Sequence, residues 1–226
     1  MGKYRDVNRK SLTMLEIGVD NGGGLEIWKK YFPANTVIHG IDINEDCAKL
    51  KFPENIHFHL GDATNADFIR EHFEDEQFDI ILDDGSHHPK DVIAAFLNLF
   101  PLLKNGGIYL VEDCELSYQK NCLNGGFLKK GSTIEFFKSL VDSLNYDYID
   151  AADLTREQKK TLKEYNKMIR KILFYPNICA IEKYAREKEE PFQTLMTGLI
   201  DYANPLSRKR PEDLRALIEI NKEMFS

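Results

Sequence analysis

The sequence predicts an α/β protein built on a doubly wound, mostly parallel sheet. Three observations carry that prediction. Short apolar runs alternate with longer amphipathic segments along the first half of the chain. Each run ends in glycine or acidic residues, as strands do before a turn. No internal repeat, low-complexity tract or flexible linker interrupts the rhythm. Strands and helices in strict alternation imply right-handed βαβ crossovers.

The candidate strands, in order, are "TMLEIGV" (13–19), "TVIHGIDI" (36–43), "IHFHLGD" (56–62), "FDIILDD" (78–84) and "GGIYLVED" (106–113). Between them "GLEIWKKYF", "NEDCAKLK", "NADFIREHF" and "PKDVIAAFLNLFPLL" have helical periodicity, and "LLKNGG" reads as a glycine stop before the fifth strand. After Asp113 the pattern changes. "CELSYQKNCLNGGFLKKGS" is polar, glycine-containing and longer than an ordinary connection, which suggests a binding loop or lid over 114–131. "TIEFFKSLVDSL" reads as a helix. "YDYIDAAD" and "KILFYPNICAIEKY" read as two late strands, with the charged helix "LTREQKKTLKEYNKMIR" near them. Charged helical segments broken near Pro205 and Pro211 follow.

At 226 residues the chain suits one sizeable core with an appended helical segment. Thirty basic against 37 acidic residues give a net charge of −7, which argues against a nucleic-acid or anionic-membrane binder. Cys47, Cys114, Cys122 and Cys179 are scattered without a C-x-x-C pair, and the N-terminus has no apolar core. Reduced thiols and a cytoplasmic setting follow as expectations. No apolar run approaches the roughly 18 residues of a spanning helix.

The first chemical signal is "LEIGVDNGGG" (15–24), which puts Gly18 and Gly22 just past the first strand. Glycines there let the backbone approach a ligand at the carboxyl edge of an open sheet. No frame supplies the G-x-G-x-x-G of a dinucleotide site, which disfavours a nicotinamide dehydrogenase. The pattern is E-x-G-x-x-x-G, and the second strand ends in Asp42, twenty residues past Gly22. A carboxylate at that place can accept both hydroxyls of a ribose. Asp62, ending the third strand, can meet an adenine. A ribose acceptor without a phosphate cradle suggests an adenosine lacking phosphates.

At these residues the sequence resembles the class I S-adenosylmethionine (SAM)-dependent methyltransferases, over about residues 12–184. The resemblance implies a Rossmann-like doubly wound sheet, mostly parallel with a late antiparallel strand, plus C-terminal helices. It implies that Glu16, Gly18, Gly22 and the turn lie near the methionine part of SAM. Asp42 would then bind ribose, and Asp62 with Ala63 the adenine. The domain would occupy 1–184, with 185–226 a helical extension packed on it or on a neighbouring subunit.

The fourth strand ends in "DDGSHH" (83–88) and the fifth in "VED" (111–113). Neighbouring strand ends in such a sheet converge on one crevice, bringing Asp84, Glu112 and Asp113 within reach of one another. Three carboxylates held together repel unless a cation intervenes, and an all-oxygen set favours a hard ion such as Mg²⁺. A divalent cation lowers the pKa of an adjacent hydroxyl, and an imidazole can then take its proton. These stretches, with the Gly125–Gly126 pair and "FYPNICAIEK", resemble the bacterial metal-dependent sugar O-methyltransferases of the macrolide-sugar type. That resemblance implies Asp84, Glu112 and Asp113 as metal ligands and His87 as general base. Asp83, pointing the other way along the strand, is expected to be structural or on the SAM side.

One departure concerns the acceptor. The family tends to carry an "HTSYW"-like segment after "ED"; this chain reads "CELSYQK", keeping Ser117 and Tyr118. Tyr118 is therefore the expected acceptor contact, and a macrolide the less expected acceptor. His88 reads as solvent-facing, Cys114 as a small filler, and His39, His57 and His59 as packed or edge residues. The resulting expectation is SAM- and Mg²⁺-dependent methylation of a hydroxyl on a sugar or nucleotide-linked sugar, by a homo-oligomer. Two alternatives are a catechol-like enzyme gripping two adjacent oxygens and a non-catalytic SAM-binding protein.

Overall fold

The structure is a computed structural model that describes residues 12–185. The expected helical extension after residue 185 and the N-terminal segment fall outside those residues. Seven strands form one sheet in the order β3-β2-β1-β4-β5-β7-β6. β1 (Thr13–Ile17), β2 (Val37–Asp42), β3 (Ile56–Leu60), β4 (Phe78–Asp83) and β5 (Leu103–Val111) pair in parallel. β7 (Ile178–Lys183) runs antiparallel to β5 and to β6 (Ile169–Tyr175). The doubly wound sheet with a late antiparallel region is therefore present as expected.

Helices cover the sheet where the sequence alternates. α1 (Gly23–Tyr31), α2 (Ala66–Phe73) and α3 (Pro89–Leu99) follow β1, β3 and β4. α4 (Thr133–Ser139), α5 (Val141–Leu144) and α6 (Arg156–Met168) precede the late hairpin. Local chemistry sets their starts. Asn65 accepts from the backbone of Asp67 and Phe68, and Thr155 with Gln158 forms a capping box. Period-two alternation divides β1 between layers: Leu15 joins the large core with Phe96, Phe100, Tyr109 and Phe137, and Met14 joins a smaller one with Ile80 and Leu82.

Four local expectations need correction. "YDYIDAAD" is not a strand but two 3₁₀ turns, Tyr146–Tyr148 and Ala151–Asp153; the Asp150 side chain accepts from Ala152 N at 2.8 Å and holds the second turn. "KILFYPNICAIEKY" is not one strand but the β6–β7 hairpin, turned at Pro176 and Asn177, whose φ of +66° is the left-handed conformation asparagine tolerates. "NEDCAKLK" makes only a 3₁₀ segment, Glu45–Lys49. The helix before the fifth strand stops at Leu99, ahead of Pro101, and not at the glycines. "KNGG" lies inside β5, where Gly106 (φ +81°) takes up residues with no counterpart between Phe78 and Ile80. Among the described residues no helix is long and apolar enough to cross a membrane.

The packed histidines form a cluster. His39 is 7% exposed, and its Nδ1 lies 3.1 Å from Nε2 of His59. His57 and His72 stand beside them, with Phe73 and Phe78 against the His39 ring. Burial, then the neighbouring imidazoles, pushes His39 and His59 down to about 4. A histidine kept neutral in the fold binds its proton only near that value, whereas the unfolded chain binds it near 6.5. Its contribution to stability is therefore lost as pH falls from 6.5 towards 4. Buried Glu16 and Asp83, raised by burial to about 8 and about 6, act with the opposite sign in that range. The histidine effect is isolated by comparing urea unfolding of the wild type and His39→Leu between pH 7 and 4.5. The variant gains stability relative to the wild type as the pH falls; a constant difference would rule out the protonation effect.

Candidate active site

Strand order reverses between β1 and β4, and at such a switch point the strand ends splay to open a crevice. Backbone hydrogen bonds carry the ladder just past the strands: Gly18 N donates to Ile41 O, Asp84 N to Ile17 O, and Glu112 N to Asp83 O. Gly18 has φ +89°, and a Cβ there would lie 2.2 Å from the Asp84 carbonyl oxygen. Only glycine satisfies both conditions.

A cavity of about 480 Å³ opens beside Gly18. Asp42, Asp62, Ala63, Asp83 and Asp84 line it, so five of the residues expected at the cofactor or metal meet there with Gly18. The Asp42 carboxylate accepts from Val19 N and Asp20 N on one oxygen and from Asn44 N on the other. Burial pushes Asp42 up, but those backbone donors outweigh it and hold the carboxyl below its ordinary value. It is a fixed anion with lone pairs left for hydroxyl donors. Asp62 accepts from Thr64 N at 2.8 Å, and buried Asp83 accepts from the Tyr109 hydroxyl at 3.3 Å.

Glu16 and Gly22 do not line this cavity. Gly22, at φ +81°, begins α1 with its backbone against the Phe52 ring. Glu16 is buried with a carboxyl oxygen against Gly24 of α1. Burial first, then Asp84 and Glu112, raises it to about 8.

At the rim of the cavity Asp84, His87 and Asp113 each offer a ligand atom, all within 4.8 Å of one another. His87 Nε2 lies 3.5 Å from Asp113 Oδ2 and 4.0 Å from Asp84 Oδ1. Both His87 (φ +56°) and Asp113 (φ +51°) hold left-handed backbone, which is locally strained for residues with a side chain. Glu112 falls outside this set, although Asp84 and Asp113 act on its charge. Burial and then neighbouring carboxylates raise Glu112; Asp84 is raised by burial and Asp113 and lowered by His87. Clustered carboxylate oxygens suit a hard divalent cation, with Asp84 and Asp113 its nearest carboxylate holders. Cys114 is no thiolate donor: burial pushes it up to about 11.

Tyr118 is 42% exposed, with the Lys138 ammonium 5.9 Å from its ring centre. Ser117 is buried and accepts from Ile134 N, which ties the loop to α4. The loop is further pinned by Gly126 N donating to Ser117 O at 2.9 Å. A smaller cavity of about 90 Å³ lies between this loop and His87, with Ser117, Lys129 and Lys130 in its wall. Sequence reasoning did not single out the two lysines, nor Ser86, whose hydroxyl donates to Asp91 at 2.7 Å beside the larger cavity. "DGSHH" contained Ser86, but nothing local distinguished Lys129 and Lys130 from other surface charges.

The strand order, with its antiparallel seventh strand, is that of the class I SAM-dependent methyltransferase fold. Residues 15–114 match the Methyltransf_24 family, described as a methyltransferase domain. The chain is related to that class and, within it, to the bacterial macrolide and sugar O-methyltransferases. It is 30% identical over 190 residues to the 8-demethyl-8-alpha-L-rhamnosyl tetracenomycin-C 2'-O-methyltransferase of Streptomyces olivaceus, covering 80% of this chain and 47% of that protein. It is 30% identical over 193 residues to the mycinamicin VI 2''-O-methyltransferase of Micromonospora griseorubida, covering 80% and 46%. A solved structure of MycE methyltransferase from the mycinamycin biosynthetic pathway, in complex with Mg and SAH, superposes with a TM-score of 0.66 at 27% identity, covering 84% of this chain and 50% of that one. The chain thus spans about half the length of these relatives.

Two outcomes follow from the geometry. Gly18→Ala meets both a left-handed φ and the Asp84 carbonyl, and should cost at least about 2 kcal/mol in urea unfolding. A loss under about 0.5 kcal/mol would show that the β1 and β4 ends separate freely. Asp84→Asn relieves repulsion, so in EDTA its melting temperature should equal or exceed that of the wild type. Added Mg²⁺ should raise the wild-type melting temperature and leave Asp84→Asn unmoved; an equal rise in both would remove Asp84 from the cation site.

Proposed function

We propose that this chain catalyses SAM- and Mg²⁺-dependent O-methylation of a sugar hydroxyl. The observation that carries the reading is one juxtaposition: an adenosine-sized cavity at the β1–β4 switch point, with Asp84, His87 and Asp113 gathered on its rim. The relatives' names point the same way, since those proteins methylate sugar hydroxyls of natural products.

Each residue has a distinct task in this proposal. Gly18 lets the backbone approach the cofactor, Asp42 receives the ribose hydroxyls, and Asp62 and Ala63 border the adenine. Asp84 and Asp113, joined by Glu112, hold the cation, which supplies the charge that acidifies an acceptor hydroxyl. His87, whose ring stands beside the two carboxylates, receives the hydroxyl proton on a ring nitrogen that is unprotonated before the step. The acceptor oxygen then forms its bond to the SAM methyl carbon as the carbon–sulfur bond breaks. The sulfonium becomes a neutral thioether, so the leaving group needs no acid. Tyr118 stands on the acceptor side. The acceptor includes nucleotide-linked sugars, and the chain acts as a homo-oligomer.

The test is calorimetric titration of S-adenosylhomocysteine, with parallel measurement of its release from SAM on a panel of glycosides. Wild type and His87→Ala should bind S-adenosylhomocysteine within about twofold of each other. Turnover by the variant should fall by about 10²–10⁴-fold, the usual contribution of a general base. Failure of the wild type to bind S-adenosylhomocysteine would overturn the proposal; full activity in His87→Ala would assign the proton to another group.

A further inference from the structure

The two cavities of the site lie on either side of His87. Asp84, Gly85 and Ser86 wall the larger one, whereas His87 and Pro89 wall the smaller. The proposed base therefore stands between the cofactor cavity and a second space enclosed by the 119–132 loop. That second space is about 90 Å³, room for about three waters at ~30 Å³ each. Open to solvent on one side, it suits a compact group attached to a sugar ring.

Its wall has a charge unlike the rest of the site. The chain carries a net charge of −7, and the rim carries Asp84, Glu112 and Asp113. Lys129 and Lys130 are the cationic side chains lining the small cavity, and neither forms an ion pair with a carboxylate of the described residues. Lys138, just beyond, is paired with Glu135 at 2.7 Å. Asn124 and Ser132 add neutral polar groups to the same wall. Two lysines without a carboxylate partner among the described residues, lining one compact space, match a tetrahedral dianion, for which lysine is a common point-charge partner.

We propose that Lys129 and Lys130 bind a phosphate carried by the acceptor, so that the substrate class is a glycosyl phosphate: a sugar 1-phosphate or a nucleoside diphosphate sugar. The inference rests on the O-methyltransferase reading and adds to it the anionic group that distinguishes this acceptor from a neutral glycoside. The sugar ring lies over the acidic rim with its reacting hydroxyl toward His87, and the phosphate enters the lysine-walled space. Opposite charges at the two ends orient the acceptor: the cation site takes the hydroxyl, and the lysines take the phosphate.

The test uses glucose 1-phosphate, UDP-glucose and methyl α-glucoside, each titrated into protein saturated with S-adenosylhomocysteine and Mg²⁺. Both phosphate-bearing probes should bind, and the neutral glycoside at least about tenfold more weakly. Lys129→Ala combined with Lys130→Ala should raise the Kd of both phosphate probes by about tenfold or more, the scale of lost charge-assisted hydrogen bonds. The S-adenosylhomocysteine affinity should not change, which confirms an intact fold. Tighter binding of UDP-glucose assigns the nucleotide as the source of the phosphate; equal binding assigns the sugar phosphate. Equal affinity for the neutral glycoside, absence of phosphate-probe binding, or unchanged Kd values in the double variant would overturn the inference while leaving the methyltransferase reading in place. Loss of S-adenosylhomocysteine binding by the wild type would instead overturn that reading.

Discussion

The approach of the β1 chain end to the β4 chain end is the constraint on which this structure depends. Gly18 lies so close to the Asp84 carbonyl that no side chain fits between them. That contact joins the two halves of the sheet where the strand order reverses, and a crevice opens beside it. It also decides where Asp84 stands. Because Asp84 N donates to Ile17 O, the first residue beyond β4 is held to the end of β1, and its carboxylate is held at the rim. The larger cavity and the acidic cluster thus share one piece of backbone.

The electrostatics of the rim follow from that geometry. Burial first, and then like charges at neighbouring strand ends, disfavours the ionised forms, so Asp84 and Glu112 are raised and Glu16 beneath α1 is raised to about 8. Such an arrangement opposes folding stability in the absence of a cation, and the left-handed backbone at His87 and Asp113 adds local strain. Stability comes from elsewhere: the continuous ladder from β3 to β6, and the aromatic layer of Phe96, Phe100, Tyr109 and Tyr165. A rigid sheet with an under-stabilised edge is the usual division between scaffold and site. The lysines of the loop sit on the far side of His87, where they do not neutralise the carboxylates.

Much of the fold was legible because parallel strands buried on both faces read as short apolar runs, and five such runs stand in this sequence. Errors arose where a run was polar or contained a turn. "YDYIDAAD" has strand-forming residues, yet Asp150 accepts from the backbone N–H of Ala152 and favours a turn. The hairpin in "KILFYPNICAIEKY" was announced by Pro176 and Asn177, but a strand is counted by its apolar content and the turn was absorbed into it. Of the candidate site, Asp42, Asp62, Asp84 and Asp113 were read from one signal, an acid at the carboxyl end of a strand or within two residues of it. Glu16 carries the same chemistry but lies within β1, one residue before the last, and alternation turns it away from the cavity.

By itself the sequence determined the order of elements, the acidic strand ends and the glycine that lets two of them meet. These are properties of short windows, where periodicity, turn chemistry and side-chain size act through neighbouring residues. Only the tertiary structure decided that Asp113 and His87, 26 positions apart in the chain, approach to 3.5 Å while Glu112 falls outside the closest set. Only it placed Lys129 and Lys130 in the wall beside His87. Proximity between distant loops is set by sheet register and by the packing of α3 and α4, and neither leaves a mark in the local sequence.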